Sequence, residues 1–490
     1  VAALADVWVD VRSNLMRRGT MDTKPIETDY LVIGAGATAM AFVDTLLSET
    51  DAHVVMVDRH HRPGGHWNDA YPFVGLHQPS AFYGVNSREL STWTKDETGL
   101  NKGMYELATG AEVLNHFDQV MRQRFLPSGH VQWFPMSDYN EAPDGTHHFK
   151  SLLNGDIRQV VARRKRVNAT HAQTAVPSTH PPRYTVAQAV DCIPLNRLPD
   201  IRRPYARYTV AGSGKTGMDA CLWLLQNGVA PSRIRWIMPR DAWLLDRANS
   251  QPGAENFERS IGCTLGQFDA IIEASSIPDL FVRLEQRGVL QRIDKTVEPG
   301  MYRCAIASQA ELEQLRRIED IVRLGHLHSV EPTLITLEGG SLPADPDTLY
   351  IDCTASGIQV PPDLPVFDGD QINLLMVRWC QPVFSAALIA YVESHVTHPD
   401  EQNTLCRVVP SPERPVDWLR MWGVTLANTA SWRQNAGLSD WLSHCRLNSL
   451  NAMMRGVKPD DTAKMALLQE IGPKAAAAAA RVPALLATLH

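Results

Sequence analysis

Apolar and polar positions repeat one arrangement twice along the chain: a short apolar run, a glycine-rich turn, a segment with apolar residues at helical spacing, and a second apolar run. The first unit spans Thr28 to Asp58. Leu31, Val32 and Ile33 form its opening strand, Ala37 to Leu47 an amphipathic helix, and Val54 to Val57 the next strand. The second unit spans Tyr208 to Met238. Between them, helical spacing runs from Gly110 to Arg124. Alternation through Ile157, Val160, Val161 and Val167 predicts strands over 156–168. Helical sequence covers Leu265 to Leu324, with breaks at Pro278 and Pro299-Gly300. Short strands follow near Ser329–Thr336, Leu349–Cys353 and Ile372–Val377, then a helix from Phe384 to Ser394. The tail past Pro410 is Trp-rich, and its Ala-rich run from Lys474 to Ala480 predicts a surface helix.

Strand–helix–strand units of this kind build parallel sheets covered by helices. The expected fold is α/β: two Rossmann-like dinucleotide-binding domains, the second inserted into the first, with a helical C-terminal extension. Residues 21–200 and 350–490 would form the outer domain and 201–349 the inserted one. Residues 1–20 lack an initiator Met, and Arg12, Arg17 and Arg18 interrupt any apolar core. They are expected to be a leader outside the fold, with Met21 as the natural start, and not a signal peptide.

Composition narrows the function classes. A chain of 490 residues holds two or three domains. Its net charge of −7 offers no basic surface for nucleic acid. No apolar run approaches the roughly 18 residues that cross a bilayer, so a cytoplasmic protein is expected. The eight cysteines form no C-x-x-C pair. Reduced, mostly buried thiols follow, and a disulfide reductase with neighbouring cysteines does not.

The first turn reads Gly34-Ala-Gly36-Ala-Thr-Ala39. Gly34 permits a tight turn, Gly36 lets the backbone approach a pyrophosphate, and Ala39 keeps helix and sheet close. The helix N-terminus favours the anion. Asp58 ends the next strand at the distance of a ribose-binding acid. The second turn, Gly212-Ser-Gly214-Lys215-Thr216-Gly217, completes G-x-G-x-x-G. A P-loop would need Gly where Thr209 stands. The following strand ends in Arg240 without an acid, which favours NADP over NAD. Lys215 adds charge beside the phosphates. Two dinucleotides in one chain point to electron transfer between a flavin and a nicotinamide.

After Asp58 come Arg59-His-His-Arg-Pro-Gly-Gly65-His66-Trp67, Tyr71-Pro72 and Gly75-Leu-His77-Gln78-Pro-Ser80. With these residues the chain resembles the flavin-dependent monooxygenase superfamily, which includes flavin-containing monooxygenases, Baeyer–Villiger monooxygenases and amine N-hydroxylases. There an acid-ending strand is followed by G-G-x-W and Tyr-Pro. The resemblance implies FAD at the first turn, with Arg59, Gly65, His66 and Trp67 around it. It also implies NADPH at the second turn, and oxygen insertion into a small organic substrate through a peroxyflavin. Tyr350-Ile-Asp-Cys-Thr354-Ala355-Ser-Gly357 is similar to the family's D-x-x-A-T-G return to the FAD domain. Phe384 and Ser385 open a helix whose N-terminus would face the flavin. His77, Gln78 and Asn86 are the polar candidates for oxygen handling, because an amide donates and accepts without titrating. Gln78 and Asn86 also suit the capping of turns.

Two family marks are missing. Ile193–Arg207 does not carry the F-x-G-x-x-x-H linker, and no Asp follows Tyr71-Pro72 in the loop. A flavin reductase without oxygen insertion and a non-catalytic redox-sensing flavoprotein share the remaining motifs. His60, His61 and His66 lack metal-ligand spacing, and no metal is expected.

Overall fold

The computed structural model describes residues 24–171, 176–354 and 363–489. Along the chain, β1 (Ile26–Ile33), α1 (Ala37–Glu49) and β2 (Val54–Val57) lead through α2 (Gly110–Val120) to β3 (Val131–Phe134) and β4 (Ile157–Asn168). Next come β5 (Asp191–Pro194), β6 (Arg207–Ala211), α3 (Lys215–Gln226), β7 (Ile234–Ile237) and β8 (Ala242–Asp246). After α4 (Phe257–Glu273), α5 (Ile277–Gln286), β9 (Met301–Ala307) and α6 (Gln309–Leu315), the chain forms β10 (Asp320–Val322) and β11 (Thr348–Asp352). It ends with β12 (Gln371–Asn373), α7 (Pro382–His395), α8 (Pro415–Gln434) and α9 (Thr462–Leu486).

Both repeated units are parallel α/β layers. The first sheet has a parallel core in the order β12-β4-β1-β2-β3, with antiparallel strands at Phe367–Asp368 beside β12 and at His147–Ser151 beside β4. The second runs β5-β11-β6-β7-β10, also parallel. In each, the glycine turn leaves the carboxyl end of a central strand (β1 or β6), where open α/β sheets bind ligands. Alanines let α1 lie close to the first sheet and to α7: Ala39, Ala41, Ala386, Ala387 and Ala390 are all buried. Every residue of α7 from Val383 to Val392 is buried, as expected of a helix apolar on all sides.

Two expectations change. The sheet boundaries lie outside 200 and 350, because β5 and β11 both pair in the second sheet; the chain rejoins the first sheet at Phe367–Asp368, which pairs with β12. The stretch 265–324 is not wholly helical. Leu290–Gln291 and β9 flank β8 in a small sheet of their own. Their alternation is too short to register against the surrounding helical periodicity. The Ala-rich run is helical and largely accessible, as expected, with one buried face. It lies within α9, which packs on α4 and α8 and buries Ala478, Val482 and Leu485. Small side chains here permit close helix contact.

The cysteines also differ from expectation. Cys304 in β9 and Cys380 just before α7 form a disulfide across 76 residues of sequence. The other six are free. Sequence spacing could not reveal a pair that only the tertiary fold brings together. Among the described residues, no helix is long and apolar enough to cross a membrane.

Candidate active site

The first turn is built by backbone packing. Gly34 has φ +98°, a conformation open to glycine. Gly36 caps α1, and no side chain accepts from the helix's first turn, leaving its N–H groups available for an anion. The Gly64-Gly65 pair lies directly over this turn. Gly64 donates to the Ala35 carbonyl at 2.8 Å, and a Cβ on Gly65 would stand 2.8 Å from the Gly36 Cα. Gly65 is therefore required by the approach of two backbones. Trp67 is buried and donates to the Tyr83 hydroxyl at 3.0 Å. His66 is exposed and stacks on Trp67.

Asp58 is more committed than a free ribose acid. Its Oδ2 accepts from Ala35 N at 2.6 Å, and its Oδ1 accepts from His60 N at 2.7 Å and meets His60 Nδ1 at 2.9 Å. Arg59 is exposed and faces Asp138. His60 Nε2 reaches Asp69 at 3.0 Å. The Asp58 hydrogen bond, followed by Asp69 and opposed by burial, raises the His60 imidazole to about 9. Its folded value lies above the unfolded one, so this stabilisation is complete below about pH 6.5 and is lost as pH rises through 9. Thermal melts should show a larger fall between pH 6.5 and 9 for the parent than for His60→Gln.

Ala169 and Thr170, at the end of β4, close the other side of the turn, 3.6 Å from a Cβ built on Gly34. Sequence inspection missed them. Their signal was the small pair Ala-Thr at the carboxyl end of a strand neighbouring the glycine turn.

The second turn is tighter. A Cβ on Gly212 would meet the Cys353 carbonyl oxygen at 2.5 Å, and one on Gly217 the Gly212 oxygen at 2.1 Å. Around Gly214 there is open space. Gly214 caps α3 without any side-chain cap. Thr216 lies in the first turn of that helix. Lys215 pairs with Asp219. Arg240 is exposed and makes no hydrogen bond or ion pair with the described residues. It lies near Arg303, which burial and then Arg240's charge shift below its ordinary value. Thr354 donates through its N and Oγ1 to Asp352. Ala355 and Gly357 lie outside the described residues.

The loop from Tyr71 to Gln78 joins the two turns. Tyr71 donates to Asp219 at 2.5 Å; burial first, then Asp219, pushes its phenol well above 10, so it stays neutral. Phe73 stacks on Trp223 of α3 at 5.2 Å. The His77 carbonyl accepts from Arg247 Nε at 3.0 Å. Burial, then Lys215 and Arg247, lowers the His77 imidazole to about 3. It lies deep in the seam with part of its surface accessible, and is neutral at working pH. Gln78 is partly exposed beside it and has no recorded partner among the described residues.

Three expected site residues serve other ends. The Asn86 Oδ1 accepts from Arg446 N at 2.9 Å, while the Arg446 guanidinium binds the carbonyls of Ala81, Tyr83 and Val85. Asn86 thus ties the C-terminal extension to this loop. Phe384 and Ser385 are fully buried. The Ser385 hydroxyl accepts from Val377 N and Arg378 N, and Phe384 lies beneath Arg378 and against Trp432. Neither offers surface to a ligand. Their apolar context in sequence did not separate a helix start from a core.

No family model matches the chain. An uncharacterised protein of Mycobacterium bovis is 53% identical over 430 residues, covering 87% of this chain and 78% of its own. Counterparts in two Mycobacterium tuberculosis strains match equally. The chain belongs to this mycobacterial family. Among solved structures, cyclohexanone monooxygenase from Rhodococcus sp. Phi1, bound to NADP+, has a TM-score of 0.46 at 14% identity, over 76% of this chain and 84% of that one. A flavin monooxygenase from Stenotrophomonas maltophilia scores 0.44 at 15%, over 76% and 100%. The bacillithiol disulfide reductase of Bacillus cereus scores 0.43 at 11%, over 75% and 99%. Likeness at this level leaves the chemistry of the family to be argued from its own residues.

Proposed function

We propose that the chain is a cytoplasmic FAD- and NADPH-using oxidoreductase of the monooxygenase type, acting on a small organic substrate with molecular oxygen. One observation carries this: two uncapped glycine turns at the carboxyl ends of parallel strands, joined by one loop whose Tyr71 bonds the helix of the second turn. The residues fit both groups. At the first turn, Gly34, Gly36 and the start of α1 would take the FAD pyrophosphate, and the Gly64-Gly65 cover leaves Gly36 without side-chain obstruction. At the second, Gly212, Gly214, Gly217 and the start of α3 would take the NADPH pyrophosphate, beside Lys215 and Thr216. Bound flavin supplies two-electron transfer from the nicotinamide and reaction with oxygen. The protein orients both groups and excludes water.

Arg240 would hold the 2′-phosphate. A hydrogen bond to a charged group contributes about 1.5–3 kcal/mol. Arg240→Ala should therefore weaken NADPH binding by about tenfold or more while leaving NADH nearly unchanged. Titration with both nucleotides measures this; equal loss for both gives Arg240 another role.

The oxygen step distinguishes a monooxygenase from a reductase. Gln78, accessible and unpartnered beside neutral His77, is the amide placed to donate to and accept from groups in the seam. Gln78→Ala should leave NADPH oxidation intact and raise the hydrogen peroxide released per NADPH consumed. An unchanged peroxide yield removes Gln78 from oxygen handling and favours the reductase.

A further inference from the structure

The Cys304–Cys380 disulfide links two parts of the molecule that share no sheet. Cys304 belongs to β9, paired with β8 beside the second unit. Cys380 belongs to the loop that ends at α7, in the core of the first unit. Both cysteines are partly exposed, as are Cys192 and Cys263, whereas Cys221, Cys353, Cys406 and Cys445 are buried. Their backbones are unusual as well. Only five non-glycine residues among those described have positive φ, and two are Cys304 (+63°) and Cys380 (+61°). Both sulfurs are thus carried on left-handed backbone, which costs an L-residue energy and clusters at functional positions. The loop bearing Cys380 is otherwise held by Ser385, which bonds Val377 and Arg378, and by Gln381, which bonds Ser449. In β9, Tyr302 donates to the Glu413 carbonyl and Arg303 pairs with the Glu413 carboxylate. The disulfide is the covalent tie between these two hydrogen-bonded clusters.

We propose that Cys304–Cys380 is a thiol–disulfide exchange site that takes low-molecular-weight thiols and acts as a reversible latch between the two units. In a reducing compartment a disulfide of this kind is transient and redox-sensing. The thiolate of a small thiol attacks one sulfur and the Sγ–Sγ bond breaks. A mixed disulfide remains, and the released cysteine thiolate takes a proton. A second small thiolate attacks the small-thiol sulfur of that mixed disulfide and expels the remaining cysteine as a thiolate, which takes a proton, leaving two cysteine thiols and one small-molecule disulfide. Two electrons pass from the two small thiols to the protein. The inference stands independently of the cofactor assignment.

The test uses the full-length protein equilibrated in glutathione buffers of graded ratio, followed by alkylation and peptide mapping. In the oxidising buffer, six cysteines should alkylate after denaturation, with one peptide pair joining 304 to 380. In the reducing buffer, both should alkylate in the folded state while Cys221, Cys353, Cys406 and Cys445 stay protected. Amide exchange in 301–307 and 374–381 should then rise about fivefold or more. The C304S/C380S variant should show this fast exchange in both buffers. The inference is overturned if no 304–380 link forms. It is equally overturned if the link yields to glutathione only after denaturation, or if exchange in these segments is the same in both buffers.

Discussion

Gly217→Ala is expected to destabilise the protein by about 3 kcal/mol or more, at the upper end of what overpacking costs. The added Cβ would stand 2.1 Å from the Gly212 oxygen and 3.0 Å from its carbonyl carbon. That oxygen cannot retreat, because Trp236 Nε1, fully buried, donates to it at 2.8 Å. Gly212 itself is pinned at φ +125° against the Cys353 carbonyl. Urea unfolding should show a lower midpoint, with nucleotide binding lost in parallel. Gly214→Ala is the contrasting case. Nothing lies within 4 Å of its Cβ, so stability should change by less than about 0.5 kcal/mol, as for an exposed position. NADPH affinity should nevertheless fall about tenfold, since only the ligand comes close there. Equal loss of stability in the two variants would show that the turn is not divided in this way.

Arg247→Met carries the second large effect. Arg247 is 1% exposed and holds Glu311 through two bonds of 2.9 and 2.8 Å. It also donates to the His77 carbonyl and to Asn101. Removing one partner of a buried pair leaves an uncompensated charge and costs about 3–5 kcal/mol. Adding Glu311→Gln should restore much of that loss, because the remaining group is then neutral. Denaturation of the two single variants and the double variant measures the coupling. Additive losses would mean that the pair does not act as a unit.

Much of the fold was legible from local pattern. The two strand–turn–helix units announce themselves because parallel strands are buried on both faces and read as unbroken apolar runs. Gly65, Gly212 and Gly217 stand where backbone meets backbone. What escaped was tertiary. β5 and β11 pair with strands far away in sequence, and no local period reports that. Arg247, Arg446 and Arg378 look like surface cations in the sequence. Burial and partners supplied by distant loops make the first two structural. Arg378 lies over Phe384, and burial lowers it to about 10. Phe384 and Ser385 were misassigned for the converse reason, since an apolar helix start looks alike whether it meets a cofactor or a core. Tyr71 was visible as part of Tyr-Pro, but its bond to Asp219 required the two units to be placed side by side.

Electron exchange between a flavin at the first turn and a nicotinamide at the second is the activity proposed for this chain. Its most direct test is an anaerobic titration of the FAD-reconstituted protein with NADPH, followed by the long-wavelength flavin absorbance. FAD should stay bound through gel filtration, and NADPH should bleach it stoichiometrically. A protein that retains no FAD, or retains it and stays yellow with both NADPH and NADH, would contradict the account.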